Sequence, residues 1–310
     1  MIETFDWSDL LTGILPQSLI DNHGKNVKLA LIDTGVNLNV NSLVHLDQPG
    51  HKFFVGRTGF SILDHTGRDP VTDGFSAGGH GTQLACIMSG KADSNQDHYV
   101  NGIANEADLT IIKARDISGA YTGIKHLLNS FELAADLGVE IAVTAQAIPL
   151  SRMIVEGITP AEVERVFTKV KDANMVILAA AENRNVGSNW TNLINKRFPN
   201  NQLDIMNVAA APTDITQVRN QIANQKLQFL MGGFKGMVYD TSNRMNPADA
   251  NNSCSVAILG GIAALCLSAL KEAPDFSSNG FNGLLDALSQ HSSPVSDANG
   301  NYPNPIIFKN

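Results

Sequence analysis

The feature that most constrains the fold is a polar, asparagine-rich segment that runs directly into a long apolar stretch at residues 251–265. Small residues recur along the apolar part, at Ala257, Gly260, Gly261, Ala263 and Ala264. A helix of this composition can be buried on every side, because other backbones can approach it closely. The pattern therefore predicts a core helix in the centre of a folded domain.

Ser253 stands at the start of this predicted helix. The first turn of a helix leaves backbone N–H groups unpaired, and the positive end of the helix dipole favours negative charge there. Two interpretations fit this setting. Ser253 is either an N-cap residue, a role for which serine is preferred, or a reactive hydroxyl beside which an oxyanion can form. Other parts of the chain are needed to choose between them.

Composition limits the classes of protein that this chain can belong to. The chain has 310 residues, of which 43% are hydrophobic, and this size fits one large α/β domain. Its formal net charge of −8 argues against nucleic acid as a partner. The longest apolar run, residues 256–267, is too short to span a bilayer. Without a visible secretory signal, we expect a cytoplasmic protein, or one translocated without a classical signal peptide. Its cysteines, Cys86, Cys254 and Cys266, are expected to be free thiols.

Apolar runs and helical patterns alternate through the middle of the chain. The predicted strands lie at residues 27–32, 109–114, 139–144, 175–181 and 205–210. Helices are predicted at residues 122–137 and after Thr159, where Thr159 and Glu162 form a capping-box pattern. Repeated βαβ units indicate a mostly parallel sheet with helices on both faces, in a single domain.

We divide this domain into three parts. Residues 1–26 form an N-terminal arm, predicted to be irregular with one short helix at residues 7–15. Residues 27–270 form the core. Residues 271–310 form a C-terminal helix near residues 281–289 and a polar tail.

Four polar residues stand at the ends of predicted elements. Asp33 and Asn183 follow strands, and the carboxyl ends of parallel strands are where α/β proteins place their sites. His80 opens a short apolar helix between glycines that let other groups approach its ring, and Ser253 opens the core helix. Taken singly, Asp33 and Asn183 can also be interpreted as turn residues.

The order Asp33, His80, Asn183, Ser253, with the residues around each, resembles the subtilisin-like (S8) serine peptidases. The segments that carry the resemblance are residues 31–36, 79–82, 102–105, 179–183 and the helix from Ser253. The resemblance implies a subtilisin-like three-layer fold and a serine endopeptidase acting on a peptide or protein substrate. In the implied roles, Ser253 attacks, His80 transfers the proton, Asp33 orients His80, and Asn183 stabilises the oxyanion together with the Ser253 N–H. No cofactor is required for this chemistry.

Several residues depart from the family pattern where substrate backbone is expected to dock. Asn251 and Asn252 replace Gly-Thr, Glu182 replaces a glycine, and residues 144–146 replace Ser-Leu-Gly. The candidate substrate-binding residues are Thr144, Ala145, Gln146, Ala181, Glu182 and Asn252. The charge of Glu182 suggests the hypothesis of a preference for a basic P1 residue. Kinetics on P1-varied peptides that show no gain for Arg or Lys would contradict it.

Further alternatives stay open at this point. Some S8 relatives are peptide ligases or macrocyclases, and a catalytically silent peptide-binding module would also explain the altered groove residues. Asp93, Asn95 and Asp97 either hold a structural calcium ion, for which oxygen ligands are suitable, or form a solvated acidic loop. Because about 26 residues precede the aspartate strand, a regulatory partner protein in place of a propeptide is a further expectation.

Overall fold

The computed structural model describes the following residues: 3–47, 52–55, 61–62, 79–92, 98–114, 123–146, 155–181, 205–211, 229–232, 236–240, 242–248, 251–274, 283–284, 286–291, 295–297, 300–302 and 305–307. A nine-stranded sheet lies at the centre of this part of the chain. Helices pack on both of its faces. The prediction of an α/β fold with a mostly parallel sheet is therefore confirmed.

The strands of the central sheet are β2 (Lys28–Asp33), β3 (Lys52–Val55), β4 (Ser61–Ile62), β6 (Asp108–Lys113), β7 (Ile141–Thr144), β8 (Val176–Ala180), β9 (Ile205–Ala211), β10 (Phe229–Gly232) and β15 (Pro305–Ile307). Their order in the sheet is β15-β10-β9-β8-β7-β2-β6-β3-β4, and every neighbouring pair is parallel except β3 and β4. The strands β2, β7 and β8 are buried runs of apolar residues, as expected for strands covered on both faces.

The α-helices whose bounds lie fully within the described residues are α1 (Gln17–Ile20), α2 (His80–Ser89), α3 (Ile124–Asp136), α4 (Pro160–Asp172) and α5 (Asn252–Glu272). Helices α2 and α5 share one hydrophobic cluster with one face of the sheet, and α3 and α4 share a second cluster with the opposite face. The sheet thus separates two cores, and the predicted site residues His80 and Ser253 are on helices of the same face.

The core helix α5 is buried at every residue from Asn252 to Ser268. A Cβ atom added at Gly260 would lie 2.7 Å from Val143 Cγ2, and one added at Gly261 would lie 2.6 Å from Ile103 Cβ, so both glycines permit close packing. At 21 residues the helix is longer than the predicted apolar run. By length and hydropathy it is the one candidate membrane span among the described residues, but 89% of its apolar window is buried inside the protein.

The N-terminal arm differs from the prediction. Strand β1 (Glu3–Asp6) pairs in parallel with β5 (His98–Asn101), and the helix predicted at residues 7–15 is a short 3-10 helix, Trp7–Leu11, followed by the separate helix α1. The 3-10 helix ends because the Thr12 backbone is extended, with a ψ of 125°, and Gly13 continues the turn with a φ of 80°. The Trp7 indole is fully buried, and its Nε1–H donates to the Met237 carbonyl at 2.9 Å. The arm is therefore part of the folded domain.

The region near the C-terminus also holds structure that was not predicted. Residues 283–284 and 286–290 are helical, in agreement with the predicted helix. In the predicted polar tail, β13 (Val295–Asp297) and β14 (Gly300–Tyr302) form an antiparallel pair, and β15 joins the central sheet beside β10. A second antiparallel pair, β11 (Gly236–Tyr239) and β12 (Met245–Ala248), precedes α5.

The predicted capping box at the start of α4 is confirmed. The Thr159 hydroxyl accepts the Glu162 N–H at 3.2 Å, and the Glu162 carboxylate accepts the Thr159 N–H at 2.9 Å. Thr159→Ala is expected to lower the free energy of unfolding by about 1 kcal/mol, because it leaves first-turn donors unpaired. Thr168→Ala, at an exposed position inside the same helix, is the matched control and should cost nothing, since alanine favours helix. Equal shifts of the urea midpoint in both variants would contradict the capping role.

Candidate active site

Three neighbouring strands bring predicted site residues to one edge of the sheet. Strands β2, β7 and β8 are adjacent and parallel, so their carboxyl ends lie together. Asp33 is the last residue of β2, Thr144 is the last residue of β7, and Ala181 directly follows β8. The polar groups at this edge are shielded from solvent, since Asp33, Thr144 and Ala181 are all at most 2% exposed.

A hydrogen bond joins Asp33 to His80. The distance between His80 Nδ1 and Asp33 Oδ1 is 2.7 Å, and the side chains are 34% and 2% exposed, respectively. The Thr34 N–H donates to the same Oδ1 atom at 2.8 Å. A buried carboxylate that accepts from Nδ1 holds the imidazole in one orientation and leaves Nε2 to act on another group.

Ser253 is the second residue of α5 and lies at the same edge of the sheet. Asn251 caps the helix by accepting the Cys254 N–H at 2.8 Å, and the Asn252 side chain donates to the Ala181 carbonyl at 2.9 Å. These two bonds fix the first turn of α5 beside the end of β8. Ser253 itself is 9% exposed.

Two other polar side chains in this turn, Ser255 and Cys254, are buried. The Ser255 hydroxyl donates to the Asn251 carbonyl at 2.8 Å, so it stabilises the helix start. Cys86, Cys254 and Cys266 are all buried and none of them forms a disulfide, so the prediction that the cysteines are not disulfide-bonded is confirmed. Burial raises the pKa of Cys86 and of Cys266 to about 12, so both stay protonated thiols at neutral pH.

Of the remaining predicted substrate and metal residues, some lie within the described residues and others lie outside them. Gln146 and Asn252 are buried, and Ala145 is half-buried. The Asn252 amide donates to the Ala181 carbonyl, so this side chain has a supporting role in the site. Glu182, Asn183, Asp93, Asn95 and Asp97 lie outside the described residues. Within the described part, no group of three or more His, Cys, Asp or Glu side chains could hold a metal ion.

A buried lysine beside Asp33 was not predicted as part of the site. Lys113 is 3% exposed and is the register partner of Asp33 on the adjacent strand β6. Leu31 and Ile111, two residues earlier on these strands, both belong to the cluster under α2 and α5, so Asp33 and Lys113 point to that same face. A lysine that directly follows the apolar pair Ile111 and Ile112 at the end of β6 is the sequence signal that could have indicated it.

Comparison with known proteins places the whole core in one family. The model of the Peptidase_S8 subtilase family matches residues 24–287. Halolysin from Haloferax mediterranei is 31% identical over 117 residues, an alignment that covers 37% of this chain and 20% of halolysin. The chain thus matches about a fifth of the length of that relative.

Two solved structures have the same fold. The prenylagaramide maturation protease PagA superposes with a TM-score of 0.61 at 19% identity, covering 90% of this chain and 88% of PagA. The epidermin leader peptide processing serine protease EpiP from Staphylococcus aureus superposes with a TM-score of 0.63 at 15% identity, covering 96% of this chain and 76% of EpiP. The family match, the shared fold and the joined Asp33 and His80 agree with one another: the chain belongs to the subtilase family of subtilisin-like serine proteases.

Proposed function

We propose that this chain is a serine endopeptidase that hydrolyses peptide bonds with Asp33, His80 and Ser253. The observation that carries the proposal is the 2.7 Å hydrogen bond between His80 and the buried Asp33, at the sheet edge where the first turn of α5 holds Ser253. Each group stands on a rigid element, since Asp33 ends β2, His80 begins α2 and Ser253 lies in the first turn of α5. Rigid placement of the reacting groups is what converts a weak hydroxyl into an effective nucleophile.

In the proposed reaction, Ser253 Oγ attacks the carbonyl carbon of the peptide bond while His80 Nε2 takes its proton. The proton then goes to the leaving amine, and a water molecule hydrolyses the acyl-enzyme with His80 again as base. Asp33 accepts from His80 Nδ1 throughout and stabilises the imidazolium that forms in each step.

The developing oxyanion is proposed to lie at the N-terminus of α5. The Asn251 carboxamide accepts the N–H of Cys254 and not that of Ser253, so the cap leaves the Ser253 N–H for the oxyanion. Asn183 is proposed as the second donor, because it follows β8, whose end is fixed beside α5 by the bond between Asn252 and Ala181. One such donor contributes about 3 kcal/mol of transition-state stabilisation.

Labelling with a fluorophosphonate probe tests the proposal without knowledge of the substrate. We expect wild-type protein to be labelled, and Ser253→Ala and His80→Ala to be unlabelled. Ser255→Ala is the matched control, because it removes a neighbouring buried hydroxyl that bonds the Asn251 carbonyl, and it should be labelled like the wild type. A well-folded wild type that takes no label would favour a silent peptide-binding module, and label on Ser253→Ala would refute the assigned nucleophile.

The acceptor of the acyl group is tested separately by the masses of the products. Hydrolysis adds one water to the two fragments of a cleaved peptide. A ligase or macrocyclase transfers the acyl group to an amine, so its product is one water lighter than the hydrolysis product. Masses of this second kind as the main product would replace the hydrolase proposal by the ligase alternative.

A further inference from the structure

Two threonine hydroxyls connect the end of β2 with the start of α2 in a reciprocal way. Thr34 Oγ1 accepts the Gly81 N–H at 2.9 Å, and Thr82 Oγ1 accepts the Asn37 N–H at 3.0 Å. Thr34 is 1% exposed and Thr82 is fully buried. Each segment thus supplies one hydroxyl and one N–H to the other. We call these two hydrogen bonds the threonine clasp.

The clasp takes the place of the side-chain hydrogen bond that an N-cap residue normally gives and that α2 lacks. The N-cap position is Gly79, with a φ of 61° and no side chain to accept a hydrogen bond. Gly81 is the second residue of the helix, and its N–H is one of those that an N-cap side chain normally accepts. Thr34 accepts it instead, from a strand far away in the sequence. The first turn of α2, which includes His80, is therefore oriented by the neighbour of Asp33.

The same residue also holds the Asp33 carboxylate. The Thr34 N–H donates at 2.8 Å to the Oδ1 atom that accepts from His80 Nδ1. The helix start packs closely against the end of β2, because a Cβ atom on Gly81 would lie 2.2 Å from the Gly35 carbonyl oxygen. Thr34 thus bonds the Asp33 carboxylate through its N–H and the residue after His80 through its hydroxyl.

We propose that Thr34 is a positioning residue of the active site, which sets the distance and angle between His80 and Asp33 through the threonine clasp. The inference rests on the proposed function. This role depends on the hydroxyl of Thr34 and not only on the size of the side chain. Loss of the hydroxyl leaves the buried Gly81 N–H without an acceptor, and the first turn of α2 must then shift to find another partner.

The test compares Thr34→Val with Thr34→Ser. Valine keeps the branched shape but has no acceptor, whereas serine keeps the hydroxyl. We expect Thr34→Val to lower the second-order rate of fluorophosphonate labelling by about 10- to 100-fold, the loss that follows a misplacement of about 1 Å. The low-field NMR resonance of the His80 Nδ1 proton should shift or vanish in parallel. Thr34→Ser should recover most of the rate and the resonance.

Thr110→Val is the matched control, since Thr110 is a buried threonine on β6, the strand beside β2. It should leave both readouts unchanged. If Thr34→Val lowers the melting temperature but keeps the labelling rate and the resonance, Thr34 only stabilises the fold and the inference is wrong. If Thr34→Val does not fold, Thr82→Val breaks the clasp from the other side, and an unchanged rate and resonance there would also overturn it. An unlabelled wild type with a normal His80 resonance would refute the proposed function and not the clasp.

Discussion

Ser253→Ala is expected to lower kcat for peptide hydrolysis by about 10⁶-fold, the loss that removal of the nucleophile causes in subtilisin itself. The substitution removes the only atom that is proposed to form the covalent intermediate. KM should change little, because alanine leaves the groove intact. The fold should also be kept, since Ser253 contributes one small side chain to a helix that is buried along most of its length.

A double variant makes this prediction sharper. If Ser253 and His80 act as one unit, Ser253→Ala with His80→Ala should lose no more activity than Ser253→Ala alone. The rates are measured on one peptide substrate with protein of matched melting temperature. Ser255→Ala is again the control and should keep the wild-type kcat. Additive losses, or a Ser253→Ala variant within about tenfold of the wild type, would contradict the proposed roles.

Asp33→Asn is expected to lower kcat by about 10⁴-fold, the loss that the same change causes in another serine protease with this triad. The side chain keeps its shape, but its amide N–H2 can donate to His80 Nδ1 and so favour the wrong imidazole tautomer. The negative charge that is proposed to stabilise the imidazolium is lost as well. The effect should therefore fall on kcat, with KM close to the wild-type value.

The matched control for this change is Asp108→Asn. Asp108 begins β6, at the opposite edge of the sheet from Asp33, and its side chain is exposed. This variant should have wild-type kcat and KM. A loss in Asp33→Asn that appears mainly in KM would mean that Asp33 shapes the groove rather than the chemistry. A kcat within about tenfold of the wild type would mean that the charge of Asp33 does not act in the rate-limiting step.

Local sequence patterns were sufficient for the central elements of the fold. The apolar stretch after Ser253 predicted α5 because it is apolar all round, and buried strands such as β2 and β8 are short apolar runs that end in polar residues. The capping box of α4 was predicted in full, since all of its groups lie within four residues. In each case the physical cause of the structure is contained in the segment itself.

Elements that depend on distant partners were not predictable in this way. Strand β1 has a mixed polar sequence and is a strand only because β5 pairs with it, and β15 depends on β10 in the same manner. In the site, the strand ends and the order of residues pointed to Asp33 and His80, which the structure brings together. The role of the Thr34 hydroxyl was not visible, because Thr34 and the N–H that it accepts are far apart in the sequence.

The burial of α5 also determines when, during synthesis, the site can first exist. The ribosome releases Asp33 and His80 early, but the surface between them and β8 stays uncovered until α5 has emerged and entered the core. At about 5–20 residues per second, this delay is on the order of ten seconds or more. Until then the nascent chain carries Asp33 and His80 without a placed Ser253, so the proposed triad can form only when α5 packs on the sheet.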